Sequence, residues 1–449
     1  MFPTAVIVLS AIIAHVVFNR LEPRGAAVIG ILILGIPATL SIALRASFTS
    51  LLSSAAFTLS NYLLSLISSL CIYRLSPFHP LARFPGPVLF KLSRIPAWIL
   101  ARSGVQHHYY LALHQRFGPY VRTGPNHLHV SDASAIPVVL GSRAFTKGGR
   151  YSAIKRPGSQ GSLLSMSDPH EHSQRRRIWD RALNATALKD YQDSLANRVA
   201  QLVTGLEQRV QDGPLDLSEW ISMFSFDFMG DLAYGSGFNL LEQGEDVQDL
   251  IRIVSAGVRQ QELAGAIPWI KPFYDMLPTS SNDLRFVQFA KEMVLKRKAQ
   301  ETPMDEDGSG TPPLVFPTLV QESSLALVAG SDTSGTCLAN IFYYLLSNVA
   351  AYRTLQSEID KAEMDSTNAT LAGLPYLNAV INETLRLQSV VPNGVQRVLS
   401  SKSEGVIISG NYIPPSTTVQ VSTYIVHRDP GNFSRIRTLS CPNAGWRIP

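Results

Sequence analysis

Residues 329–334 read Ala-Gly-Ser-Asp-Thr-Ser and place an acid and three hydroxyls in the middle of an apolar run, 325–346. Two glycines, Gly330 and Gly335, each cost a helix about 1 kcal/mol against alanine. A sequence that breaks its own local rules inside a buried element often marks a site of function. Asp332 and Thr333 bring polar groups into an otherwise buried element, and the Thr333 hydroxyl can reach a ligand on its face. Gly330 and Thr333 are three apart and share a helix face. On that reading the absent Gly330 side chain opens room for a flat ligand. The structural alternative is a kinked core or membrane helix with small packing residues, the threonine bonding back to its own backbone.

Three further groups are chemically suggestive and individually weak. Glu383 and Arg386, in "NETLRL" (382–387), are spaced to pair on one helix face, where an exposed pair is worth a few tenths of a kcal/mol. His172 and Arg176 are four apart and would offer two donors to an anion from one face. Arg397 follows a Pro/Gly turn at 392–394 and would be an inward anion ligand. A solvated basic face and a surface arginine are the plain readings of the last two.

The elements that must position these residues are mainly helical. Asp168 caps a helix that opens on Pro169, with Glu171 three after the cap. Helices are expected over 107–118, 318–348 and 374–388, and most of 186–300 reads as helix with short breaks. Residues 120–132 read as a hairpin turning at Gly124-Pro125-Asn126, and 404–429 alternates like short strands. Residues 301–317 form a polar, Pro/Gly-rich loop.

Apolar residues make up 45% of the 449 and charged residues only 16%, against roughly 25% charged in an average soluble protein. The apolar N-terminus accounts for the difference. Runs at 3–18, 26–44 and 48–72 are candidate spans, the second near the roughly 20 residues a bilayer crossing needs. Arg20, Arg24 and Arg74 at their ends set Arg20, Arg24 and Arg74 on the cytoplasmic side and the N-terminus in the lumen. The net charge of +5 is scattered, without the basic stripe and interleaved aromatics of a nucleic-acid binder. Three cysteines, Cys71, Cys337 and Cys441, form no CxxC pair and imply no disulfide framework. Residues 1–74 therefore read as a membrane anchor with up to three transmembrane helices. Residues 75–90, with Pro77, Pro80, Pro85 and Pro87, read as a stiff extended connector, and 91–433 as the globular domain.

Taken in order, the Pro-rich connector, His172/Arg176, AGSDTS, ExxR, Pro392…Arg397 and the "HRDP" of 427–430 together resemble a microsomal cytochrome P450 of the fungal kind. The resemblance implies a mainly α fold with a small β region behind a transmembrane anchor. It implies haem b, electrons from NADPH through a cytochrome P450 reductase, and insertion of one oxygen atom from dioxygen into a small apolar substrate, in secondary metabolism. It places Ala329 and Gly330 over the haem face, Thr333 as hydrogen-bond donor to dioxygen and Asp332 as proton relay. Glu383 and Arg386 become a structural ion pair, and His172, Arg176 and Arg397 partners of the two haem propionates. The domain is expected in the endoplasmic reticulum membrane, facing the cytosol, so the sequons at Asn184, Asn368, Asn382 and Asn432 stay unmodified.

The sequence departs from that family at one place. The axial thiolate is expected within FxxGxxxCxG, and no such pattern is present. Cys441 has Arg437 four before it and Asn443 two after it, so it is not expected to ligate iron. The cysteine loop and last helix are expected to be lacking and 434–449 to be a frame-shifted tail: codons compatible with Ser434–Pro449 can encode a PERW-containing segment in a shifted frame. The alternative reading is a catalytically dead, truncated membrane protein of P450 type.

Overall fold

The computed structural model describes residues 2–21, 25–155, 160–274, 276, 281–300, 314–362 and 368–433. The expectation for 434–449, Cys441 included, lies outside them.

Three N-terminal helices are long and apolar enough to cross a membrane: Phe2–Leu21, a second over Ala26–Ala43, and Leu51–Leu75. Their apolar character gives them no reason to associate in lipid, so small residues and polar contacts hold them together. Ile7, Ala11, Ala14, Leu32, Tyr62 and Leu66 form their shared core. Tyr62 donates to the Leu32 carbonyl at 2.6 Å, Ser54 to the Ser41 carbonyl at 2.7 Å, and His15 Nδ1 meets Ser69 Oγ at 3.1 Å.

The third of these helices runs directly onto the globular domain. Residues 75–90 were expected as an extended spacer; instead 76–84 form successive tight turns, and after a short irregular stretch at 85–87 a helix opens at Val88. Leu81 and Phe84 are buried in the core beneath the sheet. The Arg122 amide donates to Pro85 O at 2.7 Å, and Gly86 lies so close to the Arg122 carbonyl that a Cβ would collide. The fully buried Arg122 guanidinium donates to Arg74 O at 3.0 Å and Pro125 O at 3.1 Å. Prolines forbid a helix here without dictating extension; Leu81 and Phe84 have apolar surface to bury, and burial decides.

Seven strands form two sheets. The larger contains β1 (Tyr120–Gly124), β2 (His127–Val130), β3 (Phe145–Lys147), β4 (Val395–Leu399) and β7 (Thr418–Val421), in the order β1-β2-β7-β4-β3. The hairpin read from the sequence is β1–β2; β7 joins it in parallel and β4 and β3 follow antiparallel. The hairpin β5 (Val406–Ile408) and β6 (Asn411–Ile413) stands apart. The helical part is built on Phe316–Ser347, which packs along Leu217–Tyr234. A core of Met223, Phe226, Tyr234, Leu240, Val254, Val294 and Leu327 surrounds that contact.

Candidate functional site

The Phe316–Ser347 helix carries the AGSDTS notch, and its close contact with Leu217–Tyr234 decides which way the notch faces. Gly330 does not open the ligand room expected of it: a Cβ there would strike Met229 Sδ and Cε. Gly335 likewise meets Ser225 Oγ at 3.2 Å. Both glycines let two helices approach. The open side belongs to Ala329, Asp332 and Thr336, which are exposed, and to Thr333, which is half-buried. The Thr333 hydroxyl donates to the Ala329 carbonyl, four residues back, at 2.6 Å. That commits the threonine proton and leaves the oxygen's lone pairs to the open side. Loss of hydration raises the Asp332 pKa above the usual carboxylate value, which favours a group able to hold and pass a proton.

A second group of residues gathers cations. On the Pro169–Ala182 helix, the Asp168 carboxylate accepts from the His170 and Glu171 amides at 2.9 Å, the cap read from the sequence. His172 is half-buried there. Its pKa is lowered by burial first, then by Lys147, Arg176 and Arg397. Lys147 on β3 stands directly opposite Arg397 on β4. Lys147 Nζ donates to Leu163 O at 2.6 Å, and burial, then Arg397, lower its pKa to about 8. Arg397 donates to the Tyr151 hydroxyl at 3.3 Å and to the Gln396 carbonyl at 3.0 Å. Among the described residues neither Lys147 nor Arg397 has a carboxylate within salt-bridge distance. Arg176, expected beside His172 as an anion donor, instead pairs with Asp180 at 2.6 Å on an exposed surface. Among the described residues no hydrogen bond joins this cluster to Thr333, whose hydroxyl stays on its own helix.

The inward arginine of that helix is Arg175, which the sequence reading passed over. It donates to Glu322 at 2.6 Å, and the Trp179 indole N–H donates to the same carboxylate at 3.0 Å. The Leu163 amide completes the set at 2.9 Å. Glu322 is nearly fully buried on the long helix, so one carboxylate ties that helix to two segments far away in sequence.

The spacing of Glu383 and Arg386 yields more than an exposed pair. Arg386 is bidentate on Glu383, both bonds at 2.7 Å, and donates a third bond to His427 O at 3.0 Å. The Pro375–Leu387 helix is thereby joined to the HRDP segment, where the Arg428 guanidinium sits 3.5 Å over the Tyr424 ring.

These features define a mainly helical protein with three apolar N-terminal helices long enough to cross a membrane, a pair of cations unmatched by carboxylates, and a buried central helix that presents a hydroxyl and an acid. The Cytochrome P450 family profile matches residues 85–435, and the chain belongs to the cytochrome P450 family. It is 34% identical to the cytochrome P450 monooxygenase FCK2 of Fusarium pseudograminearum, over 85% of this chain and 70% of that one. It is 31% identical to the cytochrome P450 monooxygenase orf5 of Eupenicillium brefeldianum, over 84% and 78%. It is 30% identical to the tryprostatin B 6-hydroxylase of Aspergillus fumigatus, over 82% and 67%.

The family implies haem. The described residues fit its anionic edge, because Lys147 and Arg397 stand opposed on adjacent strands with their charge unmatched by a carboxylate, and the neutral His172 ring lies within reach of that charge. They do not supply its sulfur ligand. Cys71 lies in the third apolar N-terminal helix, and Cys337 sits on the long helix with its thiol pushed up by burial.

Proposed function

We propose that this chain is a haem-dependent monooxygenase of fungal secondary metabolism that inserts one oxygen atom into a small apolar substrate. It would sit in the endoplasmic reticulum membrane with its domain in the cytosol, supplied with electrons from NADPH by a membrane-bound reductase. The observation that carries this reading is the open side of the long helix, where Ala329 leaves a flat surface beside the Thr333 hydroxyl and the Asp332 carboxyl. Haem, when bound, supplies the activation of dioxygen. The chain's own residues position and shield. Ala329 would form part of the wall facing the bound group, and Thr333 Oγ1 accepts or, on rotation, donates a hydrogen bond at that wall. Asp332, with its raised pKa, takes a proton from solvent and holds it one residue from that hydroxyl. Lys147, Arg397 and His172 would hold the propionates.

The test is turnover in microsomes that hold the full chain and a reductase. The panel is terpenoids, polyketides and aromatics, with tryprostatin B, on which a relative acts, as the first probe. A product heavier by one oxygen atom is the expected result, and Thr333→Ala should lower it about 100-fold while NADPH oxidation continues. A purified chain that takes up no haem overturns the reading. Glycosylation at Asn184, Asn368, Asn382 or Asn432 would overturn the orientation.

The lowered pKa of His172 gives a pH prediction. In the free protein the ring is neutral at pH 7, because burial and three neighbouring cations disfavour its charge. A bound dianion offsets those cations and raises the pKa toward or above 6.5. Haemin binding should therefore take up a proton as pH falls through that window, and affinity should rise from pH 8 to pH 6. Calorimetric titration in two buffers of different ionisation enthalpy reads the uptake directly. His172→Phe should remove the part of the uptake that appears below about pH 7 and leave the part at higher pH, where Lys147, lowered to about 8, is recharged by the same ligand; an uptake below pH 7 unchanged in that variant would sink the assignment.

A further inference from the structure

We infer that the foot of the Leu51–Leu75 helix is a binding site for an anionic phospholipid, whose phosphate is held by Arg74, Lys91 and Arg122. This rests on that helix lying in a bilayer, not on bound haem. Between Glu22 and Asp132 the chain carries eight arginines, one lysine and no acid. These cations are scattered in sequence, but the fold gathers three of them. The Arg122 guanidinium on β1 donates to Arg74 O, in the last turn of the apolar helix, at 3.0 Å. The Arg74 guanidinium in turn donates to Leu92 O, at the end of the Val88–Leu92 helix that carries Lys91.

This cluster lacks a counter-ion. Among the described residues no carboxylate lies within salt-bridge distance of any of the three. Arg122 is 1% exposed, and its Nη2 is buried without a hydrogen-bond partner among the described residues. A buried charge with a bare donor is costly, and the Arg74 and Pro125 carbonyls offset it only in part. Lys91 is half-buried and makes no hydrogen bond among the described residues, so its three donors are unspent. The neighbours register the excess charge. Burial, then Arg74, lowers the Arg122 pKa to about 10. Burial, then Arg122 and Arg74, lowers that of the buried His79 to about 4, so its ring stays neutral. One anion here offsets all three cations.

The surroundings select a lipid over a free phosphate. Ile72 and Leu75 on the first helix, and Val88 and Leu89 on the second, are exposed apolar side chains beside the cations. Acyl chains gain from covering them, and inorganic phosphate does not. The site also lies where the apolar helix ends, the level at which basic pockets meet anionic headgroups.

A structural role is the competing account: Arg122 would only cap the last carbonyls of the apolar helix, and the basic surface would attract anionic lipid diffusely. Lys91 separates the two, because it caps nothing. Full-length chain in neutral detergent micelles is titrated with phosphatidylglycerol and with phosphatidylcholine, both brominated in the acyl chain. Tryptophan quenching gives the affinities, with Trp98 on the adjoining Ile95–Ser103 helix as reporter. Phosphatidylglycerol should bind the more tightly. Lys91→Gln should weaken it about fivefold or more, the worth of one cation at an anionic headgroup. It should leave phosphatidylcholine unchanged, and Lys91→Arg should keep most of the affinity. Arg116→Gln, which removes an exposed cation from the Gln106–Phe117 helix, should alter neither. No loss with Lys91→Gln, an equal loss with Arg116→Gln, or no preference for phosphatidylglycerol in the unaltered chain overturns the inference. Excess inorganic phosphate at constant ionic strength should not displace the lipid; displacement would make the site one for free phosphate and overturn the lipid assignment. A chain that retains neither lipid overturns the membrane placement as well.

Discussion

Replacing Arg386 with alanine should lower the stability of the domain by about 3 kcal/mol. The comparison that makes this a sharp expectation is internal to the molecule. Arg176–Asp180 and Arg386–Glu383 are both arginine–carboxylate pairs within one helix, and at the level of sequence they look alike. The first is well over half exposed on both sides, at 60% and 56%, and such pairs contribute about 0–1 kcal/mol. The second is 23% and 24% exposed, bidentate, and bonded onward to the His427 carbonyl. Removing one partner leaves Glu383 half-buried and unpaired, and breaking a fully buried pair costs about 3–5 kcal/mol. Partial exposure sets the value at the low end. Arg386→Lys should recover little, because an ammonium cannot reproduce the two-bond fork. Urea denaturation of the full chain in micelles, followed by circular dichroism, reads the difference. Equal effects for Arg176→Ala and Arg386→Ala would show that burial does not separate the two pairs.

The same contrast shows what a single sequence can carry. The Asp168 cap, the β1–β2 hairpin and the Phe316–Ser347 helix were legible because each rests on local chemistry: a capping side chain, a turn dipeptide, a long apolar run. The pairing of Glu383 with Arg386 was legible as spacing, but its worth was not, since that depends on what covers it. Gly330 was read with the wrong direction. Spacing says which residues share a face with Thr333, but only the packing of Leu217–Tyr234 says that Met229 fills the glycine's side. The proline-rich connector was read from backbone rules alone, while Leu81 and Phe84 decided its shape by burial. Lys147 was missed because β3 is only three residues long and its partner strand lies far along the chain. Glu322 left one faint signal, the polar run Gln321–Ser324 inside an apolar helix. Its partners Arg175 and Trp179 could not be inferred from that.

Glu322 is where that missed information should have its largest consequence. No residue of the Pro169–Ala182 helix is fully buried, so little apolar area holds the helix in place. What does hold it is polar: Arg175 and Trp179, four apart on one face, both donate to Glu322. His172 lies on the same face, three residues before Arg175. The carboxylate therefore fixes the rotation of the helix, and with it the distance from His172 to Lys147 and Arg397. Glu322→Leu strands three donors at once. Arg175 and Glu322 are 11% and 6% exposed, and breaking such a pair costs about 3–5 kcal/mol. Hydrogen exchange should accelerate at the Leu163 amide and along 169–182, and haemin affinity should fall although Glu322 touches no pigment carboxylate. Adding Arg175→Met to Glu322→Leu removes the stranded charge, since apolar replacement of both partners of a buried pair is tolerated. The double variant should regain part of the stability and no more, because the Trp179 and Leu163 N–H groups remain without an acceptor, at about 1–3 kcal/mol each. A double variant no more stable than Glu322→Leu alone would mean that Arg175 is not what Glu322 is buried to meet. Full recovery would mean that the two N–H donors find other partners, and the carboxylate would then be a simple ion pair, not the hub that sets the helix.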